Sequence, residues 1–198
     1  MNAAHARDPH IDAQGWLTSA ARVASPNFEA RPDGMTPTLV VIHNISLPPD
    51  DFTTDSIARF FQNTLDHDAH PYFDHLRGVR VSSHFVVRRD GGVQQFVSCD
   101  ERAWHAGVSS FFGRERCNDF SIGIELEGSD RTPFEDAQYE ALAALVRIIV
   151  KRYPIDALSG HSDIAPGRKT DPGAHFDWLR LRYDSALPPS FFPFQPVD

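Results

Sequence analysis

Near the C-terminus, the run Gly160-His161-Ser162-Asp163-Ile164-Ala165-Pro166-Gly167-Arg168-Lys169-Thr170-Asp171-Pro172-Gly173 places an imidazole, an amine and a carboxylate on one loop stiffened by two prolines. Far upstream, the apolar run Thr38-Leu39-Val40-Val41-Ile42 ends in His43, so a strand end can deliver a second imidazole to the same place. Two histidines and an aspartate would bind Zn²⁺ and leave its fourth position free, the pattern of a catalytic site that holds a water. On residue types alone the chain reads as a zinc hydrolase.

The other histidines carry less. Ten occur in 198 residues, and any one of them alone is weak evidence. His5 and His10 fall in a polar start and read as solvated. His67, His70 and His75 cluster near Pro71 with loop spacing; they can bind metal, but a solvated crossing between a helix and a strand is the favoured reading. His43 differs because a buried strand rarely ends in an imidazole without a ligand or a hydrogen-bonded neighbour. His84 faces the same choice, and without a companion carboxylate it reads as structural or substrate-contacting.

The elements that must position these groups alternate between types. Residues 38–43 form a continuous β-branched apolar run, as in a central strand covered on both faces. Ser56 to Leu65 reads as a helix with Ile57, Phe60, Phe61 and Leu65 on one side. Two β-rich runs, residues 83–89 and 93–97, joined by Asp90-Gly91-Gly92, form a hairpin signal. In residues 120–127 the apolar side chains of Ile122, Ile124 and Leu126 share one face, and Gly123, Glu125 and Glu127 share the other. Carboxylates beside a glycine point to a face open to a cleft. Thr132-Pro133-Phe134-Glu135 reads as an N-cap, a first-turn proline and a capping box. The helix it opens continues through Leu142, Leu145, Val146, Ile149, Val150 and Tyr153 until Pro154. A short strand near Ile155 to Leu158 leads into His161, and residues 176–181 read as a last short helix.

These elements predict an α/β fold: a single domain with a central mixed β-sheet of about five or six strands flanked by helices. One domain over residues 1–198 suits a chain of this length, with residues 1–14 expected as a mobile N-terminus, then a strap across the domain, and residues 186–198 as an irregular tail. The formal charge of −8 argues against a nucleic-acid or anionic-membrane binder. Cys99 and Cys117 are too few for a disulfide framework and suit a reducing compartment. With no signal-type apolar segment at its start and no membrane-length run, the chain is expected to be cytoplasmic.

Four segments together resemble the AmpD-type amidases, the bacterial N-acetyl-anhydromuramyl-L-alanine amidases within the type 2 amidases and peptidoglycan recognition proteins. They are Val41-Ile42-His43-Asn44-Ile45-Ser46-Leu47-Pro48-Pro49, Arg102-Ala103-Trp104-His105-Ala106-Gly107-Val108-Ser109, the run from Gly113 to Gly128 containing Asn118-Asp119-Phe120-Ser121-Ile122-Gly123-Ile124-Glu125, and the loop from Gly160 to Gly173. The resemblance runs from about Gly15 to about Tyr183 and implies a type 2 amidase-like fold. It implies one Zn²⁺ per chain on His43, His161 and Asp171, with Glu125 as the acid/base carboxylate and Lys169 as the cation beside the reacting carbonyl. Glu127, on the same face, competes with Glu125 or else pairs with Arg114 or Arg116; Lys169 has the alternative of a plain surface lysine. Some relatives carry a tyrosine before the strand histidine and a cysteine as third ligand. Ser83 and Asp171 stand there instead, which favours the AmpD branch.

The implied reaction is hydrolysis of the amide between the lactyl group of 1,6-anhydro-N-acetylmuramic acid and L-alanine, in peptidoglycan recycling, with control of β-lactamase induction as a consequence. Asn44, Arg80 and Arg116 match positions near the substrate, and guanidinium groups suit its carboxylates. Trp104 and His105 are expected as a platform for sugar or peptide, with structural packing an equal alternative for Trp104. The partner is a small-molecule muropeptide and the chain is expected to act as a monomer. Two other functions remain open at this point: a non-catalytic peptidoglycan-fragment recognition module, and a periplasmic amidase acting on polymeric wall. Mn²⁺ or Co²⁺ would also suit the ligand set in vitro.

Overall fold

Residues 39–42 are wholly excluded from solvent, as an apolar β-branched run must be when both its faces are covered. In the computed structural model, which describes residues 8–195, they open the strand Leu39–Ile45 at the heart of a six-stranded sheet. In chain order the strands are β1 (Ala21–Arg22), β2 (Phe28–Ala30), β3 (Leu39–Ile45), β4 (Phe85–Val87), β5 (Val93–Gln95), β6 (Glu101–Ala103), β7 (Ser110–Phe111), β8 (Arg114–Glu115), β9 (Ser121–Glu127) and β10 (Ala157–Gly160). The main sheet runs β1-β5-β4-β9-β3-β10, while β2 with β6 and β7 with β8 form small antiparallel pairs. β3 pairs in parallel with β9 and β10, and β9 in parallel with β4, which turns antiparallel into β5. The expected mixed sheet and hairpin are both present.

The alternation along β9 separates the two sheet faces. Ile122, Ile124 and Leu126, with Val40 and Ile42, pack against Leu142, Leu145, Val146 and Ile149 of α2 (Asp136–Arg152), and α4 (Trp178–Ser185) lies against α2. On the other face, Leu39 and Val41 join Ala106, Cys117, Phe120 and Ile164 in one small cluster. Val86 joins Ile57, Phe60 and Phe61 of α1 (Ser56–Phe61) in a second. Between these two apolar patches the same face carries His43 and Glu125. Among the described residues no helix is long and apolar enough to cross a membrane.

Several boundaries differ from the sequence reading. α1 ends at Phe61 rather than Leu65, because Asn63 takes a left-handed conformation (φ 60°) that breaks the helix; Leu65 nonetheless stays in the cluster beneath it. α2 begins at Asp136, not Pro133. The Pro133 carbonyl accepts from Arg89 and the Glu135 N–H donates to Gln138 Oε1 at 3.0 Å, so the cap is built three residues later than Thr132 suggested. The strand before His161 begins at Ala157, and the last helix starts at Trp178. The expected mobile start gives way, from residue 8, to a turn that buries Ile11 and Leu17 in the core; residues 1–7, with His5, lie outside the described residues. In the tail, Pro189–Phe191 form a 3₁₀ turn and Phe192 is buried.

Candidate metal centre

The parallel register sets His43 opposite Glu125 across β3 and β9. β10 ends with Gly160 level with Ile42, and the chain turns directly into α3 (His161–Ile164), so His161 arrives beside His43. Asp171 comes from the loop that follows, whose carbonyl accepts from the Ser162 N–H at 2.9 Å. Asn44 fastens the same loop to β3, donating to the Pro172 carbonyl at 3.1 Å and to Asp130 Oδ1 at 2.8 Å, while Thr170 donates to Asp130 Oδ2.

Three ligand atoms converge there. His43 Nδ1 and His161 Nδ1 are 3.0 Å apart, and each faces Asp171 Oδ2, at 2.9 and 3.0 Å. Three corners of a tetrahedron around a cation at about 2.0 Å would be separated by about 3.3 Å. The triangle is therefore close to the size that a zinc ion needs.

The outer ring nitrogens decide where the protons sit. His161 Nε2 lies 3.0 Å from the Ala106 carbonyl, which can only accept, and 3.4 Å from Arg168 Nη2, which can only donate; the shorter contact to the carbonyl sets the proton on Nε2 and leaves Nδ1 a lone pair. His43 Nε2 lies 3.0 Å from His105 Nδ1, and His105 Nε2 lies 3.1 Å from Ser121 Oγ, whose own proton goes to the Cys117 carbonyl at 2.6 Å. Followed back, this chain has His105 Nε2 donating to Ser121 and His43 Nε2 donating to His105. His43 Nδ1 is then a lone pair as well. Two imidazole lone pairs and a carboxylate oxygen at these distances repel one another unless a positive charge lies among them. The donor set therefore fits a divalent cation, with outer partners of the kind that orient ligating histidines.

The protonation states agree. Burial pushes the His43 imidazole down to about 4, although its contact with Asp171 opposes this. Burial acts against the Asp171 charge, and an N–H or positive charge at the two imidazole nitrogens outweighs it, the part that a cation between them would play, so this carboxyl is held far below its usual range. Neutral imidazole and ionised carboxylate are the forms that bind metal. His105 is likewise held neutral, chiefly by burial and then by His43.

Glu125, His43, His161, Asp171 and Lys169 line one cavity of about 380 Å³, with Asn44, Trp104 and His105 also on its wall. Glu125 Oε2 is buried and makes no hydrogen bond within the described chain. Burial, then the Asp171 charge, raise the Glu125 carboxyl well above its usual range, with Lys169 opposing. Glu127 points elsewhere: its Oε2 accepts from the Arg89 N–H at 3.1 Å and pairs with Arg88 at 3.5 Å. The alternative pairing with Arg114 or Arg116 is thus replaced by Arg88 and Arg89.

The remaining candidates are dispersed. Arg80 is exposed between Val79 and Val81, two residues of the cavity wall. Arg116 pairs with Asp119 at 3.2 Å and borders a separate depression with Val108 and Arg168. Trp104 Nε1 donates to Glu29 at 3.3 Å. His84 proves structural: its Nδ1 accepts from the Gly123 N–H and its Nε2 donates to the Glu101 carbonyl, both at 3.0 Å. Among the described residues, no metal-sized cluster involves His67, His70 or His75. Sequence reasoning missed Asp130, which no motif marks, and Ser121 and Asn118, which lie inside a quoted segment but carry no chemistry of their own.

Residues 33–174 match the family model described as N-acetylmuramoyl-L-alanine amidase. The chain is 57% identical over 171 residues to the 1,6-anhydro-N-acetylmuramyl-L-alanine amidase AmpD of Escherichia coli (strain K12), covering 85% of this chain and 93% of that protein. It is 51% identical to the AmpD of Haemophilus influenzae over 84% of this chain and 92% of that one. A crystal structure of a selenomethionine AmpD derivative superposes with a TM-score of 0.85 at 55% identity, covering 86% of this chain and 97% of the other.

Proposed function

The chain belongs to the N-acetylmuramoyl-L-alanine amidase family, and from that premise we infer a mechanism in which one Zn²⁺, held by His43, His161 and Asp171, serves an amidase of anhydromuropeptides. The bond hydrolysed is the amide between the lactyl group of 1,6-anhydro-N-acetylmuramic acid and L-alanine, a step of peptidoglycan recycling. The convergence of three ligand atoms beside an unpartnered buried glutamate carries this reading. A complete ligand set also favours an enzyme over a module that only binds wall fragments.

When bound, zinc supplies Lewis acidity, bringing the pKa of water to about 7 and favouring charge on a carbonyl oxygen. Glu125 takes the proton that the attacking water loses and passes it to the L-alanine nitrogen as the carbon–nitrogen bond breaks. Its raised pKa suits this exchange, because the carboxyl must both accept and release a proton near neutrality. The Lys169 ammonium, on the same cavity wall, faces the negative charge that develops on the carbonyl oxygen. Asp171 stays ionised throughout, and His105 and the Ala106 carbonyl keep both imidazoles in the tautomer that exposes Nδ1.

The cavity volume is that of a small-molecule site. Asn44, Trp104 and His105 contact the substrate near the reacting bond, and Arg80 and Arg116, outside the cavity wall, serve the distal carboxylates of the peptide stem. We take the enzyme to act as a monomer, in keeping with its size and its formal charge of −8. Two buried free thiols, Cys99 and Cys117, suit a cytoplasmic setting. Mass spectrometry of anhydromuramyl tripeptide incubated with the enzyme tests the reading: free tripeptide and anhydromuramic acid are expected, and a chelator should stop their formation. Intact substrate with zinc-loaded enzyme would refute it.

A further inference from the structure

Both imidazoles of the centre are set from a single dipeptide. His105 Nδ1 receives the His43 Nε2 proton at 3.0 Å, and the carbonyl of the next residue, Ala106, receives that of His161 Nε2 at 3.0 Å. The backbone N–H groups of His105 and Ala106 both end on one atom, Asn118 Oδ1, at 3.2 and 2.8 Å. The far side of the His105 ring rests on Ser121 Oγ at 3.1 Å. Arg31, reaching in from the N-terminal strap, holds the carbonyls of Asn118 and Ser121 at 3.1 and 2.8 Å. Gly123 completes the seat, since a Cβ there would come within 2.5 Å of the His105 ring.

Asn118 and Ser121 are buried and neither lines the cavity. We propose that they are positioning residues which, through the His105-Ala106 dipeptide, fix the tautomer and aim of His43 and His161 together and thereby set the affinity of the site for its divalent cation. A neutral imidazole whose outer nitrogen loses its acceptor can move its proton to the inner nitrogen, which then offers an N–H where a lone pair is needed. Loss of an outer partner of this kind typically costs 10–100-fold in metal affinity or activity. Because both imidazoles lean on one dipeptide, a slack dipeptide would disturb both ligands at once.

The inference rests on the metal reading above, and one titration separates the two. Metal-free full-length protein is titrated with Zn²⁺ against a chromophoric chelator, first as wild type and then as Asn118→Ala, Asn118→Asp and Ser121→Ala, with thermal unfolding recorded for each. The alanine variants are expected to bind Zn²⁺ about 10–100-fold more weakly and to lose kcat with KM little changed, whereas Asn118→Asp, which keeps an oxygen in place, should stay within a few-fold of wild type. If Asn118→Ala does not fold, Ser121→Ala decides the matter. A folded alanine variant that binds Zn²⁺ as tightly as wild type overturns the proposal, and equal losses in Asn118→Asp and Asn118→Ala overturn the part assigned to the Asn118 oxygen. A wild-type chain that binds no Zn²⁺ would instead remove the metal reading itself.

Discussion

Glu125 stands directly opposite His43 in the parallel pairing of β3 with β9, so a candidate metal ligand and the carboxylate proposed to carry the proton are neighbours across two hydrogen-bonded strands. No loop intervenes between them. A site seated on strands holds its geometry more tightly than one seated on loops, and here only Asp171 and Lys169 come from a loop, which Asp130 and Asn44 fasten to β3.

Glu125→Gln should keep the metal and lose kcat by about 10²- to 10⁴-fold, the usual contribution of a positioned acid or base. In the wild type, activity should fall as acid protonates Glu125. Since burial raises this carboxyl, the acid limb of kcat/KM should lie above the ordinary glutamate value of about 4.3. Steady-state rates across pH, alongside metal analysis, check both points. A Gln variant within threefold of wild type would remove the residue from the mechanism.

Lys169 is exposed, and among the described residues its ammonium has no hydrogen-bond or ion-pair partner, so Lys169→Met should change stability by less than about 0.5 kcal/mol. If it stabilises the oxyanion, kcat should fall by about 10²- to 10³-fold. Unaltered turnover in a normally stable variant would return it to a plain surface lysine.

The metal-free protein should be acid-sensitive in a defined window. Burial, reinforced by Arg31, depresses the His84 imidazole from 6.5 to about 3, and burial takes His43 to about 4. Both are neutral when folded but charge near 6.5 when unfolded. Their contribution is complete above that value and is lost progressively as pH falls below it, toward 4 and 3 respectively. For His84 alone the loss at pH 5 is about 2 kcal/mol. Urea midpoints measured between pH 7.5 and 4.5 should fall accordingly, and a flat profile would contradict the buried neutral histidines.

Asp130→Ala removes the acceptor shared by Asn44 and Thr170. Stability should drop by about 1 kcal/mol, and metal affinity should weaken as the Asp171 loop loosens. Calorimetry with and without Zn²⁺ measures both, and an unchanged holo-to-apo difference in Tm would show that the loop needs no such tether.

Much of this was legible in the sequence for physical reasons. An apolar β-branched run must be covered on both faces, and an imidazole at its end must find a partner there, which singles out His43. The strict alternation from Ile122 to Glu127 separated the packed face from the face bearing Glu125. The cap of α2 was misplaced because Thr132-Pro133 satisfies local rules that tertiary contacts override: the Phe134 ring packs on Gly128, where a Cβ would approach within 2.4 Å. The partners of Glu127 depend on which strand lies beside β9, and Arg88 and Arg89, in the turn that follows β4, cannot be ranked above Arg114 and Arg116 by spacing. The tie from Asn118 to the 105–106 dipeptide joins backbone groups, which side-chain motifs do not reveal.

The central claim is tested most directly by adding Zn²⁺ in small increments to metal-free enzyme and following cleavage of anhydromuramyl tripeptide. The rate should rise from near zero and break sharply at one equivalent per chain, and His161→Ala should show no such break. Full activity before any metal is added, or a break that survives in His161→Ala, would contradict a mechanism centred on His43, His161 and Asp171.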